Sequence, residues 1–320
     1  MSTLQGPVHE APGHDVGDDD FVPLRIRVVN FFGVFVPLAG VFAAFILLWG
    51  IAFNWVHLLI LAVMYAISGF GITIGYHRYF THKSFATSRF MQALLGVCGS
   101  MAVEGPIVQW VATHRRHHQH SDSEHDPHSP HTHGDTVMGA LRGAWHAHVG
   151  WILEARTFSK GESGVDLNRY AKDLIDDPVT KWVSDRFVWW VALGLVIPTV
   201  LGGLLTMSWT GALLGLIWGG LVRVFLVHHV TWSVNSVCHI WGSRPFKSHD
   251  HSRNNAIFGV LALGEGWHNN HHAFPASARH GLKWWQLDLS YIVIVLMKKV
   301  GLVRDIRVPS AARMEAKLRG

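Results

Sequence analysis

Histidines set the chemistry this sequence can do. In the run Gly264-Glu265-Gly266-Trp267-His268-Asn269-Asn270-His271-His272, three of them stand at i, i+3 and i+4, spacings that share one face of a helix. His114, His117 and His118 repeat the pattern, His77 and His82 stand five apart as at the end of a helix running into a turn, and Asn235 and His239 form an i, i+4 pair. Neutral imidazoles converging from one face are costly to build near apolar sequence, and a bound transition metal is the usual return. Nine histidines in these four segments are too many for one tetrahedral zinc and enough for two metals with open positions. No carboxylate sits inside the clusters, so the donor set suits iron that must meet dioxygen better than magnesium or calcium, which take oxygen ligands.

The elements that must position these residues are apolar. Hydrophobic residues make up 49% of the chain, charged residues only 15%, and there are 15 Trp, a composition that argues for a membrane protein rather than a soluble domain. Apolar stretches over about 31–52, 56–76, 187–207 and 211–233 are each long enough to cross a bilayer; the first three carry no charge, and Arg223 in the fourth reads as snorkelling or structurally paired. Very short connections, Asn54-Trp55 and Ser208-Trp209-Thr210, pair them as two hairpins. All Lys and Arg lie away from those connections, so the positive-inside rule puts both termini, the long middle segment and every histidine cluster on the cytoplasmic side. Residues 1–30 read as a cytoplasmic tail without a signal peptide, 31–300 as the membrane domain and 301–320 as a second cytoplasmic tail. The stretch Phe90 to Val111, broken by Glu104, Gly105 and Pro106, reads as an interfacial helix leading into the second cluster. The fold expected is an all-α, multi-pass membrane protein: four transmembrane helices in two hairpins with a cytoplasmic helical cap that carries the histidines.

The basic balance, sequence pI near 9.4, is scattered between apolar spans and fits membrane-flanking loops, not nucleic acid. Cys98 and Cys238, the two cysteines, do not form a disulfide framework.

These residues resemble the membrane fatty acyl desaturase family, in particular its delta-9 branch. The resemblance is carried by His77-Arg-Tyr-Phe-Thr-His82, His114-Arg-Arg-His-His118, Thr231-Trp-Ser-Val-Asn-Ser-Val-Cys-His239 and Gly264-Glu-Gly-Trp-His-Asn-Asn-His-His272, with Ala273-Phe-Pro and Ser277-Ala-Arg-His-Gly281 following. It implies nine ligands for two iron ions, His77, His82, His114, His117, His118, His239, His268, His271 and His272, with Asn235 holding one metal through water. It also implies removal of two hydrogens from adjacent methylenes of a saturated acyl chain, using dioxygen and two electrons and leaving a cis double bond. Tyr65 and Gly69 fall where the resembling enzymes close the far end of the acyl tunnel. Ala112 and Thr113 stand where the animal acyl-CoA branch carries Arg-Asp, so the local pattern resembles bacterial and acyl-lipid members, and the acyl carrier, CoA or lipid, stays open.

Glu265 reads as a partner that fixes the tautomer of a ligand imidazole, and Asp122 and Asp250 are open to the same role. His120, His125, His128, His131, His133, His146, His148 and His228 are left unassigned. A separate electron donor is implied, such as a ferredoxin or a flavin reductase system, since the sequence has no haem-binding His-Pro-Gly-Gly, no cysteine pairs for a cluster and no Gly-x-Gly-x-x-Gly. The competing readings are a di-iron hydroxylase of lipids or alkanes and, from another class, a metal transporter. The transporter reading requires ligands near the midplane of the spans.

Overall fold

The computed structural model describes residues 22–50, 55–154 and 165–319. Most of the expected N-terminal tail, residues 1–21, lies outside the described residues.

Among the described residues, four stretches of helix are long and apolar enough to cross a bilayer: Leu24–Leu47, Trp55–Thr81, Phe187–Thr206 and Trp209–Ile240. The first belongs to helix α1 (Leu24–Gly50), so helix begins inside the stretch expected as tail. The second is α2 (Trp55–Phe70) running without a break into a π-helical stretch, Gly71–Thr81. After α3 (Arg89–Ser100) and α4 (Ile107–His120), two helices where one was expected over Phe90 to Val111, come the third span, α5 (Phe187–Thr206), and the fourth. That last span is α6 (Trp209–Gly215), a π-helical turn Leu216–Val222, and α7 (Arg223–Ile240).

The spans divide into an inner and an outer pair. Only 17% of the most apolar window is buried in the first and third, against 50% and 56% in the second and fourth. Phe42, Phe45 and Ile46 of α1 and Val188, Trp189 and Leu204 of α5 are exposed, as lipid-facing side chains should be. The inner pair is also longer than a bilayer needs. At about 1.5 Å per residue, 32 residues of the fourth span reach well past a hydrocarbon core roughly 30 Å thick. The helix therefore carries Asn235 and His239 out of the apolar layer while keeping them on rigid backbone.

Polar groups between spans are satisfied by backbone. Arg223 is fully buried, and its guanidinium donates to the carbonyls of Gly219, Met101 and Gly194. It staples the fourth span to the third and to the corner after α3, which is the structural pairing expected of a charge in a span. The Ser208–Thr210 connection turns at Met207 in the left-handed region, φ 49°, and Ser208 caps the next helix by accepting from the Gly211 amide.

The cap is built from α4, the short helix α8 (His268–Ala273) and the segments around them. Helix α9 (Leu289–Lys299) and an antiparallel pair, Ala86–Thr87 with Val303–Arg304, tie the chain end to the cap. Beyond residue 301 the chain remains docked: Lys317 donates to the Ala273 carbonyl and Arg319 to that of Phe246.

Candidate metal centre

The π-helical stretch explains the first histidine pair. A π-helix bonds i to i+5, so residues five apart stack on one face. The His82 amide accordingly bonds the His77 carbonyl at 3.2 Å, and the two rings lie 4.8 Å apart. The pair does stand at a helix end running into a turn, as expected, but the helix is a widened one that closes at Thr81 with His82 as its C-cap. Helix α4 supplies His114, His117 and His118, α7 supplies His239, and α8 supplies His268, His271 and His272.

The nine histidines assemble into two groups: His77, His82, His114, His118 and His271 in one, His117, His239, His268 and His272 in the other. Within each, the nearest ring nitrogens lie within 4.8 Å of one another. The two i, i+3, i+4 clusters are thus split between groups. From α4, His117 points one way and His114 and His118 the other, and from α8, His271 parts from His268 and His272.

The spacing of the nitrogens fits a metal. Nε2 to Nε2 separations are 3.0 Å for His77–His271, 3.0 Å for His114–His118, 2.9 Å for His118–His271 and 3.0 Å for His239–His268. Two nitrogens each about 2.1 Å from one cation and at right angles to each other lie about 3.0 Å apart. Tetrahedral angles would spread them further, so the set favours a metal of higher coordination number. Moreover, Nε2 of His82, His117 and His272 is buried without a hydrogen-bond partner among the described residues, which a bound cation would remedy.

Carboxylates lie one layer out and decide which nitrogen faces inward. Nδ1 of His117 donates to Asp126 at 2.9 Å, that of His239 to Asp122 at 2.9 Å, and that of His272 to Asp250 at 2.5 Å. His77 Nδ1 lies 2.6 Å from Glu265 Oε2. An ionised carboxylate only accepts, so each of these rings keeps its proton on Nδ1 and turns the Nε2 lone pair inward. Asp126 and His280 were not anticipated in this layer. Asp126 stands in the Pro-containing run Asp126-Pro-His-Ser-Pro130, where nothing in the spacing points to His117. His280 Nδ1 pairs with Glu265 at 3.1 Å and its ring lies 4.5 Å from that of His271.

The electrostatics agree. Burial, reinforced by neighbouring imidazoles, holds His82, His114, His118, His268 and His271 well below the usual histidine range. Burial also takes His272 down to about 4, with Asp250 opposing it. The rings are therefore neutral, the form that ligates. Burial alone would raise Glu265, but His77, His280 and Arg78 outweigh it and keep the carboxylate ionised.

Arg78 locks this layer. It is fully buried and reaches Glu265 at 3.1 Å, Asp288 at 3.0 Å and the Ala278 carbonyl at 2.8 Å. Gly264 permits the approach: its φ is +121°, and a Cβ there would lie 2.3 Å from Asp288 Oδ1 and 2.9 Å from Arg78 Nη2. Arg78→Met should destabilise the protein by about 3–5 kcal/mol, because it strands two buried carboxylates. Thermal unfolding in detergent measures this, and an unchanged midpoint would contradict it.

The remaining histidines have other partners. His228 Nε2 donates to the Ala102 and Val103 carbonyls, His131 to the His239 carbonyl, and His148 lies between Ser236 and His229. His128 is buried with its ring 4.4 Å from that of His117. Arg115 and Lys83 both pair with Asp173.

A cavity of about 550 Å³ reaches the two groups, a size typical of a small-molecule site. His77, His114, His268 and Asn235 line it where the groups lie, and Tyr65, Gly69, Ile72 and Leu263 are also on its wall.

Comparison with known proteins follows the same lines. The family model described as fatty acid desaturase matches residues 53–295. The chain is 44% identical over 284 residues to a hex-5-enoyl-[acyl-carrier protein] acetylenase of Moorena producens, covering 88% of this chain and 86% of that protein. It is 38% identical to an sn-1 stearoyl-lipid 9-desaturase of Anabaena variabilis, over 80% of this chain and 85% of that one. It is also 38% identical to an acyl-CoA C20 delta5-desaturase of Anemone leveillei, over 81% and 76%.

Proposed function

This chain belongs to the fatty acid desaturase family, and from that premise we propose that it is an O2-dependent di-iron desaturase that introduces a cis double bond at delta-9 of a saturated acyl chain. The observation that carries this reading is the pair of imidazole groups opening onto one largely apolar cavity. An unactivated C–H bond offers no acid or base handle, and two irons would supply the oxidising power that protein side chains lack.

In the proposed arrangement His77, His82, His114, His118 and His271 hold one iron. His117, His239, His268 and His272 hold the other, with Asn235 acting through water. Glu265, Asp122, Asp126 and Asp250 keep the ligand protons on Nδ1. The protein's own share is to align the chain against the centre and exclude water. The balance is one acyl –CH2–CH2– plus O2, two electrons and two protons, giving –CH=CH– and two waters. Electrons come from a separate donor, such as a ferredoxin or a flavin reductase system. With the termini and the cap on the cytoplasmic side, that donor docks from the cytoplasm.

A second reading has a specific observation behind it. The 44% identity to an acetylenase favours removal of two further hydrogens from a chain that already has a double bond, giving a triple bond at the same centre. The acyl carrier also differs among the relatives, since their names specify an acyl-carrier protein, a lipid and CoA.

Tyr65 and Gly69 are proposed to set chain length. Tyr65 is anchored by donating to the Leu261 carbonyl at 2.7 Å, and a Cβ on Gly69 would lie 2.9 Å from Leu263 Cδ1. A bulky side chain at 69 would therefore push the end of the Leu263 side chain aside and fill cavity space. Gly69→Leu should shift products to shorter acids, read by gas chromatography of host lipids, and an unchanged chain-length profile would sink this assignment. The same chromatography on a desaturase-deficient host, with double-bond position determined, tests the main reading: a delta-9 monoene supports it, and an alkyne favours the second.

A further inference from the structure

The chain end builds a charged face on the cap. Helix α10 (Ala311–Lys317) and the residues after it lie against segment 244–247. The Lys247 amide donates to the Lys317 carbonyl at 2.7 Å and the Arg319 amide to that of Pro245 at 2.9 Å, while Met314 packs against Phe246 and Phe274. Residues 244–253 and 311–319 together hold six basic side chains, Arg244, Lys247, Arg253, Arg313, Lys317 and Arg319, against two carboxylates, Asp250 and Glu315. Asp250 is buried against His272, which leaves Glu315 as the exposed carboxylate of the two.

The cations are fixed in place without being neutralised. Arg244 donates to the Asp250 carbonyl, Arg253 to that of Gly242 at 3.3 Å, Lys317 to that of Ala273 at 2.7 Å and Arg319 to that of Phe246 at 3.0 Å. A carbonyl orients the side chain and leaves its charge uncancelled. Burial, and then the nearby charges of Arg319 and Arg253, lower the Arg244 guanidinium from its ordinary range. Like charges gathered in this way repel one another, and an anionic surface laid over them relieves the repulsion. The composition suits water, not lipid. No large apolar side chain is exposed between 244 and 253, and only Leu318 is exposed between 311 and 319, whereas Trp241, Ile257, Val260 and Leu261 are exposed on either side of the first segment.

The face lies over one of the two metal groups. The His251 amide donates to Asp122 at 2.6 Å, and Asp122 accepts from His239 at 2.9 Å. Asp250, whose carbonyl Arg244 holds, accepts from His272, and Lys317 holds the carbonyl of the residue that follows His272. Two proposed ligands are thus one hydrogen-bonded carboxylate away from this surface. Electron tunnelling weakens steeply with distance, so a donor seated here has a short bonded route to the centre.

We propose that residues 244–253 and the docked chain end 311–319 form the docking face for the electron donor, and that this donor is an acidic one-electron carrier protein. The inference rests on the desaturase reading and names the partner that its electrons require. Each turnover takes two electrons, so two reduced carriers dock in turn and each leaves oxidised by one electron; the balance of acyl chain, O2 and protons is unchanged. Opposite charges speed the encounter, and salt weakens it.

The test uses the iron-loaded full-length protein in nanodiscs, of neutral lipid or with added phosphatidylglycerol, and two electron sources. One is a plant-type ferredoxin kept reduced by its own reductase. The other is anaerobic reduction by dithionite followed by O2, which gives a single turnover and needs no docking. Lys247→Glu/Arg319→Glu reverses two exposed charges outside the metal groups. At low salt its KM for ferredoxin should rise by at least about tenfold in either disc, and the rise of KM with salt seen in the wild type should flatten. Product per chain after dithionite should stay at the wild-type value. Lys247→Arg/Arg319→Lys should keep the wild-type KM, and Lys299→Glu, an exposed reversal on α9, should change it by less than about twofold.

An unchanged ferredoxin KM in the double reversal, or an equal rise in Lys299→Glu, would overturn the inference. An effect seen only with phosphatidylglycerol present would mark a lipid headgroup site and overturn it as well. So would an equal fall in the dithionite-driven product, which would assign these residues to the fold of the cap. Dithionite-driven product from a wild type that takes no electrons from ferredoxin removes the inference alone. If the wild type makes no product from either source, the desaturase reading fails and takes the inference with it.

Discussion

His271→Ala is expected to abolish product formation and to lower the iron bound per chain. His271 is the hub of its group: its Nε2 lies 3.0 Å from that of His77 and 2.9 Å from that of His118, and its ring lies 4.7 Å from that of His82. The side chain is fully buried, so truncation leaves a gap among imidazoles that have no other cation to face. Loss of an outer partner of a metal ligand typically costs about 10–100-fold, and loss of a ligand should exceed that. Product from His271→Ala should fall by more than about 100-fold, as read by gas chromatography, with iron measured by atomic emission on the same purified sample. Activity within about tenfold of wild type would remove His271 from the ligand set.

Glu265→Gln should cost about 10–100-fold in metal affinity and activity although it changes no proposed ligand. One carboxylate oxygen faces Nδ1 of His77 at 2.6 Å and of His280 at 3.1 Å, while the other faces Arg78 Nη2 at 3.1 Å. Both sides present donors, which an acceptor-only group satisfies. An amide has a single acceptor end. With its NH2 toward Arg78 it meets a buried guanidinium, and with its NH2 toward His77 it forces the imidazole proton onto Nε2, where the metal should bind. Titration of the metal-free variant with Fe2+ measures the loss. Wild-type affinity would show that Glu265 has no part in setting the His77 tautomer.

Much of the fold and of the site was legible in the residues because both obey simple periods. Spans of apolar residues announce themselves by length, and i, i+3, i+4 histidines announce a helical face. Two features were less legible. The His77–His82 spacing is that of a π-helix, but five-residue spacing also occurs at a helix end, and no residue type marks the widened turn. The outer layer depends on contacts distant in sequence: Asp122 reaches His239, Asp250 reaches His272, and His280 joins Glu265 beside His77. Of this layer, Glu265 could be singled out because it adjoins a histidine cluster, and Asp122 and Asp250 are open to the same role without a named partner, whereas Asp126 sits in a loop rich in Pro and Ser.

The most direct test of the central claim is the acyl profile, with double-bond position, of a desaturase-deficient host expressing the wild-type chain with a reductase system and iron. A new delta-9 monoene is the result predicted. Hydroxylated chains in place of alkenes, or no acyl product from protein shown to hold iron, would contradict it.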